Sequence, residues 1–116
     1  MKVAAVAIMV PSWEEGLTFY TRGLGFEVVE DVAQGSKRWV AVRAPGGGPR
    51  LVLAVGTDRP MARVARFLET DDWDRDAGRI EGAGGRFEEA PRDEPYGRVA
   101  VWRDPFGNRW DLVAPR

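Results

Sequence analysis

Residues 2–10, KVAAVAIMV, place the larger side chains Val6, Ile8 and Val10 on one face of a strand and Ala5, Ala7 and Met9 on the other. Both faces are apolar, which predicts a strand covered on both sides. Ser12 opens the sequence S-W-E-E, a capping box in which the hydroxyl and Glu15 satisfy free amides at a helix start. Trp13, Leu17, Tyr20 and Leu24 then follow at i, i+4, i+7 and i+11, a single buried stripe, and Gly23 and Gly25 mark the helix end. Three strand-like stretches come next: FEVVEDV from Phe26, KRWVAVRA from Lys37 and RLVLAV from Arg50, the last two joined by the turn PGGGP. The first half reads βαβββ.

An offset of 60 residues maps much of this half onto the second. Trp13, Leu17 and Tyr20 become Trp73, Ala77 and Ile80, Asp72 takes the capping place of Ser12, and Arg38, Arg43, Pro45 and Gly47 map to Arg98, Arg103, Pro105 and Gly107. Past that turn the offset is 59, pairing Arg50 with Arg109 and Leu53 with Leu112. The second half is therefore another βαβββ unit: a strand near 63–70, a helix near 72–82, and strands near 85–90, 96–103 and 108–114. One domain spanning residues 1–116, built of modules 1–56 and 62–116, is expected.

Composition narrows the chemistry. With no Cys there is no thiolate nucleophile or metal site, and with no His the commonest general base and the commonest ligand for zinc, nickel and iron are missing. Seventeen basic against eighteen acidic residues, with the arginines scattered, do not point to nucleic acid. No apolar run reaches the roughly 20 residues that cross a bilayer, and the N-terminal stretch reads as a strand rather than a signal peptide, so a cytoplasmic location and no membrane partner are expected. The glycine-rich pieces PGGGP and GAGG fit a hairpin and a helix cap, because a phosphate loop must lead into a helix N-terminus. The acidic run DDWDRD reads as a helix start.

Two segments, GLTFYTRGLGFEVVE at 16–30 and RDPFGNRWDLV at 103–113, resemble the hallmark segments of the vicinal oxygen chelate superfamily, which includes glyoxalases, bleomycin-resistance proteins and dioxygenases. The resemblance spans essentially the whole chain. It implies an α+β fold, two βαβββ modules forming a curved, partly closed mixed sheet around a cavity, often completed by dimerisation; a homodimer is expected. Enzymes of the superfamily hold a divalent metal with one residue from the first and last strand of each module, commonly His, Glu or Gln. The matching positions here are Ala5, Val52, Ala65 and Asp111. Only Asp111 carries a donor, whereas zinc takes about four and facial-triad iron about three protein donors. No metal or other cofactor is expected, which calls ordinary glyoxalase, epimerase and extradiol dioxygenase activities into question.

If the inner face carries those four positions, alternation adds Ala7, Met9, Arg50, Ala54, Phe67, Glu69, Arg109 and Val113, and leaves Val6, Ile8, Val10, Leu51, Leu53, Trp110 and Leu112 under the helices. This register puts Arg66 on the helix side. Of the five Trp, Trp13 and Trp73 read as helix residues packed on sheets and Trp110 as core. Trp39 and Trp102, on the third strands, each fit either face, and one of them is expected to line the cavity. The ligand-binding set is thus Trp39, Phe67, Glu69, Trp102, Arg109 and Asp111, the structural alternative being that Glu69, Asp111, Arg50 and Arg109 merely pair with one another or with solvent. No catalytic residue is assigned. The leading functional reading is a metal-independent small-molecule-binding protein that sequesters an antibiotic-like or aromatic ligand. The alternatives are a lyase or isomerase of the same fold working without metal or with a metal held chiefly by Asp111 and Glu69, and a subunit that scaffolds or regulates a partner.

Overall fold

The computed structural model describes residues 1–56, 59–60 and 62–116. The chain divides into two units, Met1–Arg59 and Pro60–Arg116. In the first, β1 (Ala5–Val10) leads into α1 (Trp13–Leu17), which continues as a π-helical segment (Thr18–Gly23), followed by β2 (Glu27–Gln34), β3 (Lys37–Arg43) and β4 (Arg50–Val55). The sheet order is β1-β4-β3-β2, with β1 parallel to β4 and the other pairs antiparallel. These directions make the two edge strands β1 and β2 parallel, so the chain between them must cross one face of the sheet. The helix makes that crossing, with Gly16 buried against Val10 and Leu53. Ile8, Val10, Val40, Val42, Leu51 and Leu53 are buried.

The helix departs from the regular stripe its sequence predicts. The Leu24 amide donates to the Phe19 carbonyl five residues back, at 3.0 Å, and the wider turn buries Phe19 beside Tyr20, edge to face at 4.8 Å between ring centroids. Trp13 and Leu17 are only half-buried. Ser12 Oγ accepts the Glu15 amide at 3.1 Å and donates to Glu15 Oε2 at 2.8 Å, so the glutamate closes the box on the hydroxyl.

The second unit repeats the plan with β5 (Arg66–Glu69), α2 (Trp73–Ala83), β6 (Arg86–Phe87), β7 (Arg92–Glu94), β8 (Gly97–Arg103) and β9 (Arg109–Pro115). Its order is β5-β9-β8-β6, β5 parallel to β9, with β7 also pairing to β8. β7 has no counterpart in the periodicity, because R-D-E has no apolar alternation to read. The α+β class and the two βαβββ modules stand. Hydrogen bonding assigns their strands to two separate sheets, and neither forms a closed barrel. No helix among the described residues is long and apolar enough to cross a membrane.

Repeat-related contacts explain the internal similarity. The Arg38 guanidinium lies over the Trp13 ring at 5.8 Å, and Arg98 over Trp73 at 4.8 Å. Gly47 donates to Ala44 O at 2.9 Å and Gly107 to Asp104 O at 3.2 Å, both glycines at φ 96°, a conformation that suits a residue without a Cβ. In the second turn Asp104, buried, accepts from the amides of Phe106 (3.0 Å) and Asn108 (2.8 Å) and from Asn108 Nδ2 (2.7 Å). The D-P-F-G-N segment is thus a side-chain-closed turn that starts β9.

Asp104→Ala leaves three donors without this acceptor and is expected to cost about 2–3 kcal/mol in urea unfolding. Gly97→Ala should destabilise as strongly, because a Cβ there would lie 2.3 Å from Ala114 O. At the start of α2, Asp76 accepts from Arg75 and, at 2.5 Å, from Thr70 Oγ1; the Arg75 hydrogen bond is the main cause of its lowered pKa. That contribution is present above the unfolded aspartate pKa and is lost as pH falls through the lower folded value. Unfolding curves from pH 6 down to about 2 should therefore show a smaller loss of stability for Asp76→Asn than for the native chain.

Candidate functional site

Strand alternation gives each sheet a face toward its helix and an opposite, open face, on which Ala41 and Val99 are nonetheless fully buried. In the first unit the open face carries Ala5, Ala7 and Met9 of β1, Arg50, Val52 and Ala54 of β4, and Trp39, Ala41 and Arg43 of β3, as the registers Ala5↔Arg50 and Ala41↔Val52 require. Trp39 is 46% exposed and pairs across the strands with Val32, also exposed. Arg50 is tethered: Nε donates to Ala4 O at 3.3 Å and Nη1 bonds Glu30. A depression of about 610 Å³ at this end of the sheet, lined by residues 2–4, Arg43 and residues 48–50, contains none of the predicted site residues.

In the second unit the open face brings together Phe67 and Glu69 of β5 with Arg109, Asp111 and Val113 of β9. Phe67 lies beside Asp111 in the register and Glu69 beside Val113. Val101 of β8 flanks Asp111 on its other side. Phe67 is 66% exposed and Glu69 is exposed. Four of the six predicted ligand residues therefore share one surface. Arg109 is occupied there, its Nε donating to Glu88 at 2.8 Å and Nη1 to Ala62 O at 3.0 Å, so it is ion-paired, but with Glu88 rather than with Glu69 or Asp111. The same arrangement holds Arg50 to Glu30 and Ala4 in the first unit, so the arginine tether is itself duplicated.

Asp111 differs from its neighbours. It is 9% exposed, and its Oδ1 is buried with no hydrogen-bond partner among the described residues. Burial pushes its pKa up from the ordinary aspartate value; Arg92 nearby opposes that shift, Glu89 reinforces it and Arg109 opposes it. Glu89 accepts the Val101 amide at 2.8 Å and pairs with Arg92, and these contacts lower its own pKa. Arg92 also bonds Glu94 at 2.9 Å. Glu88, Glu89 and Arg92 are charged groups that sequence reasoning did not assign to the site: the first two lie in the strand expected near 85–90, and Arg92 in the aperiodic R-D-E of β7.

Trp102 departs from the expectation that it could line a ligand face. It pairs with Trp110 on the helix side of the second sheet, stacked at 5.4 Å with 10° between the rings, and is fully buried. The alternation that turns Trp39 outward turns Trp102 inward, because the two are not repeat partners: Trp102 occupies the place of Val42. Arg66, beside Trp110, is half-buried on the helix side as the register requires. Ala65, assigned to a strand from sequence, precedes β5.

The side chains at the four metal positions do not fit a metal. The methyl and isopropyl groups of Ala5, Val52 and Ala65 have no lone pair, and Asp111 alone is one donor. Among the described residues no group of three or more His, Cys, Asp or Glu side chains is placed to hold an ion.

The Glyoxalase/Bleomycin resistance protein/Dioxygenase superfamily profile matches residues 2–112. An uncharacterized protein of Shewanella frigidimarina is 35% identical over 123 residues, covering 96% of this chain and 91% of its own length. Among solved structures, TnmS3, an antibiotic binding protein from Streptomyces sp. CB03234, superposes with a TM-score of 0.81 at 28% identity, over 100% of this chain and 98% of that one. A superfamily member from Sphaerobacter thermophilus gives 0.82 at 30% identity, over 98% of each chain. With the profile matched across nearly its whole length, this chain belongs to the Glyoxalase/Bleomycin resistance protein/Dioxygenase superfamily.

Proposed function

We propose that this chain is a metal-independent small-molecule-binding protein that sequesters an antibiotic-like or aromatic ligand. The observation that carries the reading is the chemistry of the superfamily's metal positions, where Ala5, Val52 and Ala65 offer only apolar surface. The open face of the second unit supplies what a binding site needs: an exposed ring at Phe67 beside the buried carboxylate of Asp111, while the first unit separately carries an exposed indole at Trp39. The similarity to an antibiotic binding protein supports the same reading. A second reading, a metal-free lyase or isomerase, is favoured by one feature only: a buried carboxyl with a raised pKa suits acid–base work.

A panel of antibiotics and small aromatic compounds tests both, read by the thermal shift of the purified chain and the mass of the recovered compound. Binding with unchanged mass is the expected result. A converted mass establishes the enzyme, and a panel that gives no shift at all rejects sequestration. Chelator treatment should leave the shifts unchanged; one tightly bound zinc, nickel or iron per chain would overturn the metal-independent reading. Trp39→Ala should weaken an aromatic ligand by about 1 kcal/mol in titration calorimetry. It should change stability by no more than about 0.5 kcal/mol, because the indole is half in solvent.

We also propose a homodimer, since each sheet has an open face and strands at its edges that a second copy would cover. Light scattering at micromolar concentration should give twice the chain mass, and a monomer there counts against it.

A further inference from the structure

Within the second unit Asp111 is out of balance with its surroundings. Asp111 Oδ1 is buried without a hydrogen-bond partner among the described residues, whereas buried polar groups in folded proteins are ordinarily satisfied. The arginines around it are committed elsewhere. Arg109, two residues away on the same strand, is held by Glu88 and the Ala62 carbonyl. Arg92 is held by Glu89 and Glu94, and Arg103 lies 3.3 Å from Glu88. Turning Arg92 to Asp111 would strip Glu94 of its partner, and turning Arg109 would give up both Glu88 and the Ala62 carbonyl.

An ionised carboxylate only accepts hydrogen bonds, so whatever completes Asp111 must donate. The charges nearby are mixed, Arg92 and Arg109 against Glu89, so the charge that favours a cationic donor over a neutral one and disfavours an anion is that of the Asp111 carboxylate itself. The walls on either side are apolar: Phe67 on β5, two-thirds exposed, and Val101 on β8, half-buried. A bare metal ion does not suit a single carboxylate between a phenyl ring and an isopropyl group.

We propose that this face selects a molecule with a nitrogen cation, an ammonium or amidinium group, that donates to Asp111 Oδ1 while an attached ring or chain lies against Phe67. The assignment rests on the small-molecule reading above and specifies the chemical class of its ligand. Phe67 is the apolar platform and Asp111 the charge that discriminates, while Glu89 and Glu88 are paired with Arg92 and Arg109.

Three probes of one shape separate the possibilities: 2-naphthylmethylamine, 2-naphthylmethanol and 2-naphthoate, each titrated into the full chain and followed by amide chemical shifts. The amine should bind about tenfold or more tighter than the alcohol, with the naphthoate weakest, as expected for a charge-assisted hydrogen bond. In Asp111→Asn the preference should vanish while the alcohol's affinity stays within about twofold. Equal binding of amine and alcohol, or a preference that survives in Asp111→Asn, overturns the cation assignment and leaves the broader binding reading intact. Failure of all three at millimolar concentration also overturns it, and the antibiotic panel then judges the broader reading separately. Should the variant fail to fold, the native shift map decides. Changes centred on the amides of Phe67, Val101 and Asp111 support the proposal, and changes centred elsewhere reject it.

Discussion

A parallel pair of strands cannot be closed by a tight turn, and each unit of this protein pairs its first strand with its last in parallel. The chain must therefore leave the sheet, cross a face as a helix and return at the opposite edge. That single requirement commits one face of each sheet to helix packing and leaves the other without cover from its own unit. Everything chemical about the molecule follows from this two-sidedness. Ile8, Leu51, Leu53, Trp110 and Leu112 are buried on the helix side, while Trp39, Phe67 and Asp111 belong to the open faces.

Duplication of the unit repeats more than topology. The same three devices recur: a guanidinium over a helix indole, a glycine turn ahead of the last strand, and an arginine on that strand tying down the segment before the first one. The last device uses up Arg50 and Arg109 as anchors. The units then diverge where chemistry is possible. Val52 of the first unit corresponds to Asp111 of the second, and the D-P-F-G-N turn replaces A-P-G-G-G with a carboxylate that gathers three donors. The first unit offers an aromatic surface, and the second offers a charge.

Superfamily membership by itself does not settle the reaction, because function resides in the side chains grafted on a fold. In this chain those side chains have lost the metal chemistry of their positions while keeping one buried acid. A buried carboxylate without a hydrogen-bond partner suits recognition of a donor more simply than it suits catalysis, which needs a second group placed to act with it. Glu69 is diagonal to Asp111 on the neighbouring strand and exposed, so it is a weak candidate for that second group.

Much of this was legible in the order of residues alone. Strand alternation, two capping residues and the offset of 60 residues located nearly every element and the inward and outward tracks of β1, β4 and β9, because local geometry converts a periodic pattern directly into a face. Alternation combined with the metal positions that the superfamily resemblance implies placed Phe67, Glu69, Arg109 and Asp111 on one surface. Three features were decided only by tertiary structure. The π-helical widening that buries Phe19 beside Tyr20 depends on how the helix meets the sheet. The opposite facing of Trp39 and Trp102 could not be read from third strands that are apolar on both sides, so only the pairing of β3 with β4 and of β8 with β9 set their direction. The isolation of Asp111 depends on which glutamate each arginine reaches. Ion pairing between residues far apart in sequence leaves no periodic trace, and for that reason the fold was written in the pattern while the charge balance of the site was not.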